Sequence, residues 1–587
     1  SEKLKFSGDY SFSDSRVKKE NESATQYLLS DTTYYSQLQS NQNNHSQNHN
    51  LSLDFNIKLD STSGLTIKPD FSINFSNNSN DKITNYLNEE SDSVRRALNN
   101  SISKSSGYSI SNMLSYRKDF KKKGRHLNLR DNISYAQTNE KSNLDYYDLF
   151  FANDSTANEI QQQKDNKTII FANTLSASYS EPLSTQWKLI FDYELYNNNN
   201  AKNQYSYNYD GVDYTLVDSS TTSVFRTNKL QNKLGVSANF RDKKNNLSFG
   251  VHGRNLLVDN RNLFNQQAIH QNFTTALPYL RYRLKISQNS NFSARINTNS
   301  SLPTIDMVSP VTDNTNPNSI LVGNENLKPN YDFSTNISYM LYKPISSISF
   351  SVGIGASYTF NDFAKSVDYD SLGRSVAHYE NINTFNNWSA NTQLSIPLFK
   401  KIVTINPRFT YTNSQQNNIV ENTLNKTITN NFMPELRLIV FTNFLEFNTS
   451  LSLTQQLGKN SNDASLNINN SIWNFKNNLK VNLPWKLDVE LVGNYYNYQN
   501  LSQTYSSKFF ILNASITKRI GKYDQWSIGV EGYDLLNNNT QVERTITLNT
   551  IVDSRTNIIA RYFLFRVTYT FNSTLQSKQK QKDESFK

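Results

Sequence analysis

In Leu51-Ser52-Leu53-Asp54-Phe55-Asn56-Ile57-Lys58-Leu59 every odd residue is apolar and every even residue polar. The next segment repeats the pattern, with Leu65, Ile67, Phe71, Ile73 and Phe75 set against Thr66, Lys68, Asp70, Ser72 and Asn74. Further on, Ile348, Phe350, Val352, Ile354, Ala356, Tyr358 and Phe360 alternate with Ser349, Ser351, Gly353, Gly355, Ser357 and Thr359. A period of two is the mark of a β-strand with one apolar and one polar face. These runs last about 10 to 13 residues, the length a tilted strand needs to cross a bilayer, whereas soluble strands average about 5 to 6.

Composition fits a membrane barrel better than a soluble fold. Only 36% of the chain is hydrophobic, yet 34 Tyr and 34 Phe are too many for a chain that buries no surface. In a barrel only alternate residues face lipid, while the others face a wet lumen and the outer loops are polar. No stretch approaches the roughly 18 apolar residues of a helical span. Cys is absent, which excludes disulfides and thiolate metal sites and suits assembly through the periplasm. The net charge of +10 is scattered without a basic stripe, so no nucleic-acid partner is expected. Because Ser1 is not a Met, the chain reads as a mature or trimmed product.

Connections alternate short and long. The short ones are 60–64, 118–124, 181–185, 242–245, 287–290, 342–346, 397–400, 441–443, 483–485 and 521–525, each rich in Gly, Pro, Asn, Asp, Ser or Lys. The long ones include 17–48, 77–105, 138–167, 197–227, 259–272 and 301–330. Short periplasmic turns and long extracellular loops give this asymmetry. Ten hairpins plus a first strand (4–13) and a last one (557–571) predict an all-β chain: a transmembrane antiparallel barrel of about 22 strands with both termini in the periplasm.

The last strand places Phe563, Phe565, Val567, Tyr569 and Phe571 outward and closes the barrel, with Arg561 as the exception near the outer interface. Tyr10, Tyr135, Tyr179, Tyr358, Tyr411 and Phe571 suit aromatic girdles. Two parts follow: a barrel over 1–571, and a Lys/Gln/Ser-rich tail over 572–587, expected to be disordered in the periplasm.

One long outer segment carries a recognisable passage. Ser301-Leu302-Pro303-Thr304-Ile305, then Pro310, Asp313 and Asn316-Pro317, then Gly323-Asn324 and Leu327-Lys328-Pro329, resembles a signature of TonB-dependent receptor barrels. It is similar above all to the Bacteroidota type of outer-membrane β-barrel, although Asn330 stands where that type often has Glu. Phe565, Val567, Tyr569 and Phe571 also resemble the family's closing and assembly signal, but this chain continues past it. The prolines stiffen the passage and stop ladder pairing, and Gly323-Asn324 would permit a turn with positive φ. The passage thus serves to fold a loop, with ligand contact as the other reading.

The resemblance implies an outer-membrane receptor for energised uptake of a siderophore, glycan, peptide or similar nutrient. It implies outer-membrane lipid around the barrel, a plug domain or plug-like partner in the lumen, a TonB complex, and a surface lipoprotein in glycan importers. Since the first strand starts near Leu4, a plug would have to come from outside this sequence. The alternative is a receptor-like barrel serving as a non-transporting structural subunit of an outer-membrane assembly or secretion complex, with other envelope subunits as partners. A passive porin constricted by its own loops is a third reading.

Other candidates are sparse. His45 and His49 form the one close His pair, but they sit in a polar run with no third ligand near, so no metal site is expected. Tyr205, Tyr207 and Tyr209 precede Asp210-Gly211 and would either stack on a sugar or siderophore ring or simply build a hairpin. Tyr495-Tyr496-Asn497-Tyr498 has the same ambiguity. Lumen-facing Lys58, Asp70, Arg130, Arg295, Arg566, Asp488 and Glu490 should pair with a plug or with each other. Lys118, Lys121 to Lys123 and Arg125 form a basic turn, solvated by default. No nucleophile–base pair, phosphate loop or carboxylate dyad is present, so neither an enzyme nor a cofactor is expected.

Overall fold

The computed structural model describes residues 3–570 apart from 29–32, 152–155, 265, 309–318, 370–374, 383–384, 463, 465–466, 501–504, 522–523, 539, 548–549 and 558–560. The first half of the chain forms β1 (Leu4–Leu28), β2 (Thr33–Lys58), β3 (Ser63–Leu87), β4 (Ser93–Asp119), β5 (His126–Phe150), β6 (Thr156–Pro182), β7 (Trp187–Tyr209), β8 (Tyr214–Val217), β9 (Ser223–Arg241), β10 (Asn245–Asn262), β11 (Gln267–Ser287), β12 (Ser290–Asn299) and β13 (Ser319–Leu321). The second half forms β14 (Tyr331–Lys343), β15 (Ile348–Phe360), β16 (Asp362–Tyr369), β17 (Ser375–Ile382), β18 (Phe385–Leu398), β19 (Val403–Val420), β20 (Thr423–Phe441), β21 (Leu445–Asn460) and β22 (Ile468–Leu483). It ends with β23 (Leu487–Asn500), β24 (Tyr505–Ile520), β25 (Trp526–Tyr533), β26 (Thr540–Thr547), β27 (Thr550–Asn557) and β28 (Tyr562–Tyr569).

The 28 strands among the described residues all belong to one sheet. Six of them, β8, β13, β16, β17, β26 and β27, lie in outer connections. The other 22 follow one another as antiparallel neighbours, with β7 pairing β9, β12 pairing β14, β15 pairing β18 and β25 pairing β28. This is the expected strand number. No helix among the described residues is long and apolar enough to cross a membrane, so the crossing elements are strands.

All ten short turns fall between ring strands at one end of the cylinder. Local chemistry explains them. Asp60 Oδ1 accepts the Thr62 N–H at 2.6 Å, and Asp242 Oδ1 accepts the N–H of Lys244 at 2.8 Å. Gly124 sits at φ +87°, where a side chain would be strained. The basic turn is stitched to its neighbours: Lys118 pairs with Asp60 at 3.2 Å, and Lys122 and Arg125 both pair with Glu181 at 2.7 Å.

The outer ends differ from expectation. Strands β1 to β7 run for 23 to 27 residues. At about 3.3 Å per residue and a tilt near 40°, a 25-residue strand climbs about 60 Å, against an apolar band about 25 Å tall. Most of 17–48, 77–105, 138–167, 197–227 and 259–272, expected as loops, is therefore ladder. Among the described residues, the exception is 301–330, whose described part is mostly irregular. The reason is physical. Above the bilayer both faces of the sheet are wet, so the period-two signal vanishes while the hydrogen bonding continues. One rung of this collar runs Asn48↔Asn74↔Gly107↔Thr138↔Thr168↔Lys202 across six strands.

On the opposite flank β14, β15 and β18 stop lower, and inserted pieces complete the rim. There β13 runs parallel to β17, and β16 runs parallel to the top of β19 (Ser366↔Ile419, Val367↔Val420). These parallel ladders arise because the order reverses above the band: β15 pairs β14 and β18 pairs β19 below, whereas β17 lies beside β13 and β16 beside β19 above.

Closure also departs from expectation. Above the membrane β1 pairs with β27, from Glu20↔Asn557 to Tyr27↔Thr550. Lower down, among the described residues, no ladder joins β28 to β1. Phe6, Tyr10 and Phe12 on one edge, and Phe563 and Phe565 on the other, are more than half exposed. Continued without a shift, the β1–β27 register would set Phe565 opposite Phe12 and Val567 opposite Tyr10, keeping lipid-facing residues together. Phe571 and the tail over 572–587 lie outside the described residues.

Candidate functional site

The extracellular mouth holds the recognisable passage. Pro303 is buried, Ile305 opens a single helical turn (Ile305–Val308), and Val308 and Leu327 are each 2% exposed. The passage is braced to β17. Val322 N–H donates to Ala377 O at 2.8 Å, and Asn324 Nδ2 donates to Tyr379 O at 2.8 Å. Asn381 accepts the Lys328 N–H at 2.7 Å and returns its own Nδ2 to Lys328 O at 2.9 Å. Pro329 leads into Asn330, whose side chain accepts the Ser301 N–H at 2.7 Å and clamps the two ends of the loop. The expected positive-φ turn is a correction: among the described residues in that region of φ, neither Gly323 nor Asn324 occurs, and Asn324 works as a cross-brace instead. Pro310, Asp313 and Pro317 lie outside the described residues.

The mouth is narrowed from within. On β6 and β7 the side chains opposite the lipid-facing Phe171 and Phe191 include Gln162, Gln204 and Ser206. Gln162 Nε2 donates to Asp218 Oδ2 at 2.8 Å, and Gln204 Nε2 donates to Thr221 O at 2.8 Å. The turn from Asp218 to Thr222 thus folds over the lumen side of the sheet, with Thr221, Thr222 and Ser206 fully buried. Two strands further along the same wall, Arg254 Nη1 donates to Ser300 O at 2.7 Å, holding the start of the recognisable passage to the inner wall of β10.

The collar has its own small core on the same inner side, built from Tyr86, Ala97, Leu144 and Tyr146. At its centre Arg95, wholly buried, donates from Nε to Asp148 Oδ1 at 2.6 Å and from Nη2 to Asp148 Oδ2 at 2.9 Å. A third bond runs from Nη2 to the Tyr146 hydroxyl at 3.1 Å, and the guanidinium lies 4.5 Å from the Tyr86 ring centroid. Burial pushes the Tyr146 hydroxyl up to about 12. Sequence reading missed this cluster, because Arg95 and Asp148 are brought together only by the β4–β5 register (Ala97↔Asp148).

Deeper in the lumen a polar hollow of about 530 Å³ is lined by Arg117, Arg130, Asp192, Glu194, Lys233 and His252. Lys233 sits 3.2 Å from Glu194, and His252 lies 3.9 Å from Asp192. Of the other expected lumen charges, Asp488 pairs with Arg519 at 3.1 Å, Arg566 with Glu531 at 2.6 Å, and Glu490 accepts Asn478 Nδ2 at 3.1 Å.

Tyr205, Tyr207 and Tyr209 share the opposite, outward face of β7, ending at a tight turn into β8. The rings of Tyr209 and Tyr214 stand 5.4 Å apart, tilted by 54°. Asp210 holds the turn, accepting the N–H of Val212 at 2.8 Å and of Asp213 at 2.9 Å together with the Thr215 hydroxyl. These bonds hold its carboxyl down at about 2. His45 and His49 have separate partners on the outer wall: His45 bonds Asp14 at 3.0 Å, and His49 bonds the Tyr10 hydroxyl at 2.9 Å. Tyr496 stacks on Phe509, with centroids 4.9 Å apart.

The profile of the Outer membrane protein beta-barrel family matches residues 118–439 and 435–569. The chain belongs to that family. Its apolar band accordingly faces the lipid of the outer membrane of a Gram-negative cell, with the ten short turns on the periplasmic side. No curated protein matches the sequence of this family member. Among solved structures it is similar to the siderophore receptor PirA from Pseudomonas aeruginosa, at 12% identity over 93% of this chain and 80% of that one (TM-score 0.42). The ferric citrate transporter FecA in unliganded form matches at 9% identity over 93% and 78% (TM-score 0.46). The ferripyoverdine receptor of the Pseudomonas aeruginosa outer membrane matches at 10% identity over 94% and 72% (TM-score 0.47).

Proposed function

We propose that this outer-membrane barrel is a receptor for energised uptake of a nutrient, with a plug-like body seated in its lumen. The observation that carries this reading is the mouth. The start of the recognisable passage, held by Arg254, and the turn from Asp218 to Thr222, held by Gln162 and Gln204, both lie against the inner wall of a cylinder of 22 strands. A cylinder of that width holds a body rather than standing as an open channel, and the charged hollow around Asp192, Glu194 and Lys233 offers ionic partners to its surface. Rigid inward elements above a polar lumen suit selective capture followed by passage. A TonB-type complex would supply the energy.

The test is genetic and direct. Removing the gene should abolish growth on one nutrient of a panel supplied at low concentration, and dissipating the proton-motive force should reproduce the loss. A barrel that purifies in fixed stoichiometry with envelope-assembly subunits, and whose loss leaves every uptake rate unchanged, would instead be a scaffold.

A further inference from the structure

The sheet of the collar has an outer wall as well as an inner one. No register shift interrupts the β4–β5, β5–β6 and β6–β7 ladders, so side-chain parity carries from the membrane band to the rim. Asp145 and Tyr147 therefore share the face of lipid-facing Ile133, Gln161 shares that of Phe171, and Tyr209 shares that of Phe191. On β3, Asp81 shares the face of Phe71, below the shift at Tyr86/Leu87. Together with Tyr214 these residues line a hollow of about 640 Å³. It opens away from the lumen, over the membrane surface.

We propose that this hollow binds the uncharged sugar chain of an outer-leaflet glycolipid. The lining has the chemistry of a saccharide site: aromatic faces to stack on the C–H face of a pyranose, and amides and carboxylates to bond its hydroxyls. Tyr209 presents its ring while its hydroxyl is spent on Gly211 O at 3.0 Å. Tyr147 accepts Gln161 Nε2 at 2.9 Å, which fixes both groups beside the ring pair. The Asp210 turn holds Tyr209 and Tyr214 in place before any ligand arrives, which lowers the entropic cost of binding. Asp81 and Asp145, set against Lys82, disfavour an anionic ligand. Position selects the source. Tyr147 lies 12 residues beyond the girdle residue Tyr135 on one strand, about 30 Å above the apolar band at about 3.3 Å per residue and a tilt near 40°. Sugar chains anchored in the outer leaflet occupy that height beside the wall.

The experiment uses the full chain in detergent micelles and three probes from the producing bacterium: intact outer-leaflet glycolipid, the same lipid stripped of its outer sugars, and the released polysaccharide. Intact glycolipid and released polysaccharide should bind, and the stripped lipid should bind at least tenfold more weakly. Y209A/Y214A should weaken the first two at least tenfold. D145N, which keeps both tyrosine rings and removes the carboxylate charge beside Tyr214, should weaken them measurably as well. Heat-modifiable migration on gels establishes that both variants remain folded barrels. Wild-type affinity in both variants, equal binding of stripped and intact lipid, or binding confined to free oligosaccharides unrelated to the glycolipid would each overturn the proposal.

Discussion

Arg95 shows what single residues do in a wall that is mostly solvent-exposed. Its guanidinium is buried among aromatic rings and satisfied by Asp148 and Tyr146. Removing it strands a carboxylate out of water, at a cost of about 3–5 kcal/mol. R95A should therefore open the top of β4 and β5 to limited proteolysis near 88–92 and 151, while R95M/D148L, which removes both charges, should restore most of the protection. Equal protection in R95A would show that the pair holds nothing together. Asp210 gives a pH-dependent counterpart. Its folded value of about 2 lies below the ordinary aspartate value near 4. The stabilisation it lends to the turn is thus complete above pH 4 and is lost as pH falls through about 2. Fluorine NMR of a fluorotyrosine at position 214 should stay constant down to pH 4 and change only below it. A change centred near 4 would mean that the carboxylate does not hold the turn. Neither residue was marked in the sequence for the role it plays. Arg95 becomes a cluster only through pairing across two strands, and Asp210 reads as any turn aspartate.

At the level of elements, legibility follows the solvent. The ten periplasmic turns could be read because Gly, Asn and Asp carry local signals there, and because each adjoining strand alternates between lipid and lumen. The same strands lose that contrast above the bilayer. Residues 41–50 are polar on both faces and read as a loop, yet they pair residue by residue with β1. The recognisable passage was legible as a stiff loop, but its braces, Tyr379 and Asn381, lie some fifty residues further along the chain. The edges of β1 and β28 carry the sharpest prediction at this scale. If the register Glu20↔Asn557 continues downward, cysteines placed by Y10C and V567C will face each other within disulfide reach and cross-link under mild oxidation. Cross-linking only at positions offset by two would show that the lower edges meet in another register.

The whole molecule is two stacked cylinders that share most of their strands. The lower one is bathed in hydrocarbon, where no backbone group can exchange its partner for water, so its hydrogen bonds are held. The upper one is wet on both faces, and its bonds can open locally at small cost. Hydrogen exchange in micelles should accordingly be at least about tenfold faster for amides of 41–50 than for those of 51–57 on the same strand. Uniform exchange along β2 would contradict the two-tier description. The upper cylinder is also the one that a ligand meets first, and its sequence could drift among polar residues without disturbing the lower.

The hairpin of β26 and β27 fastens the first strand to the last part of the chain on the aqueous side of the bilayer. A clasp placed there can slip and re-engage in water until its rungs match, before the neighbouring edges are committed beneath it in oil. Whatever partner or machinery finishes the wall would then inherit an alignment chosen where mistakes are cheap to undo.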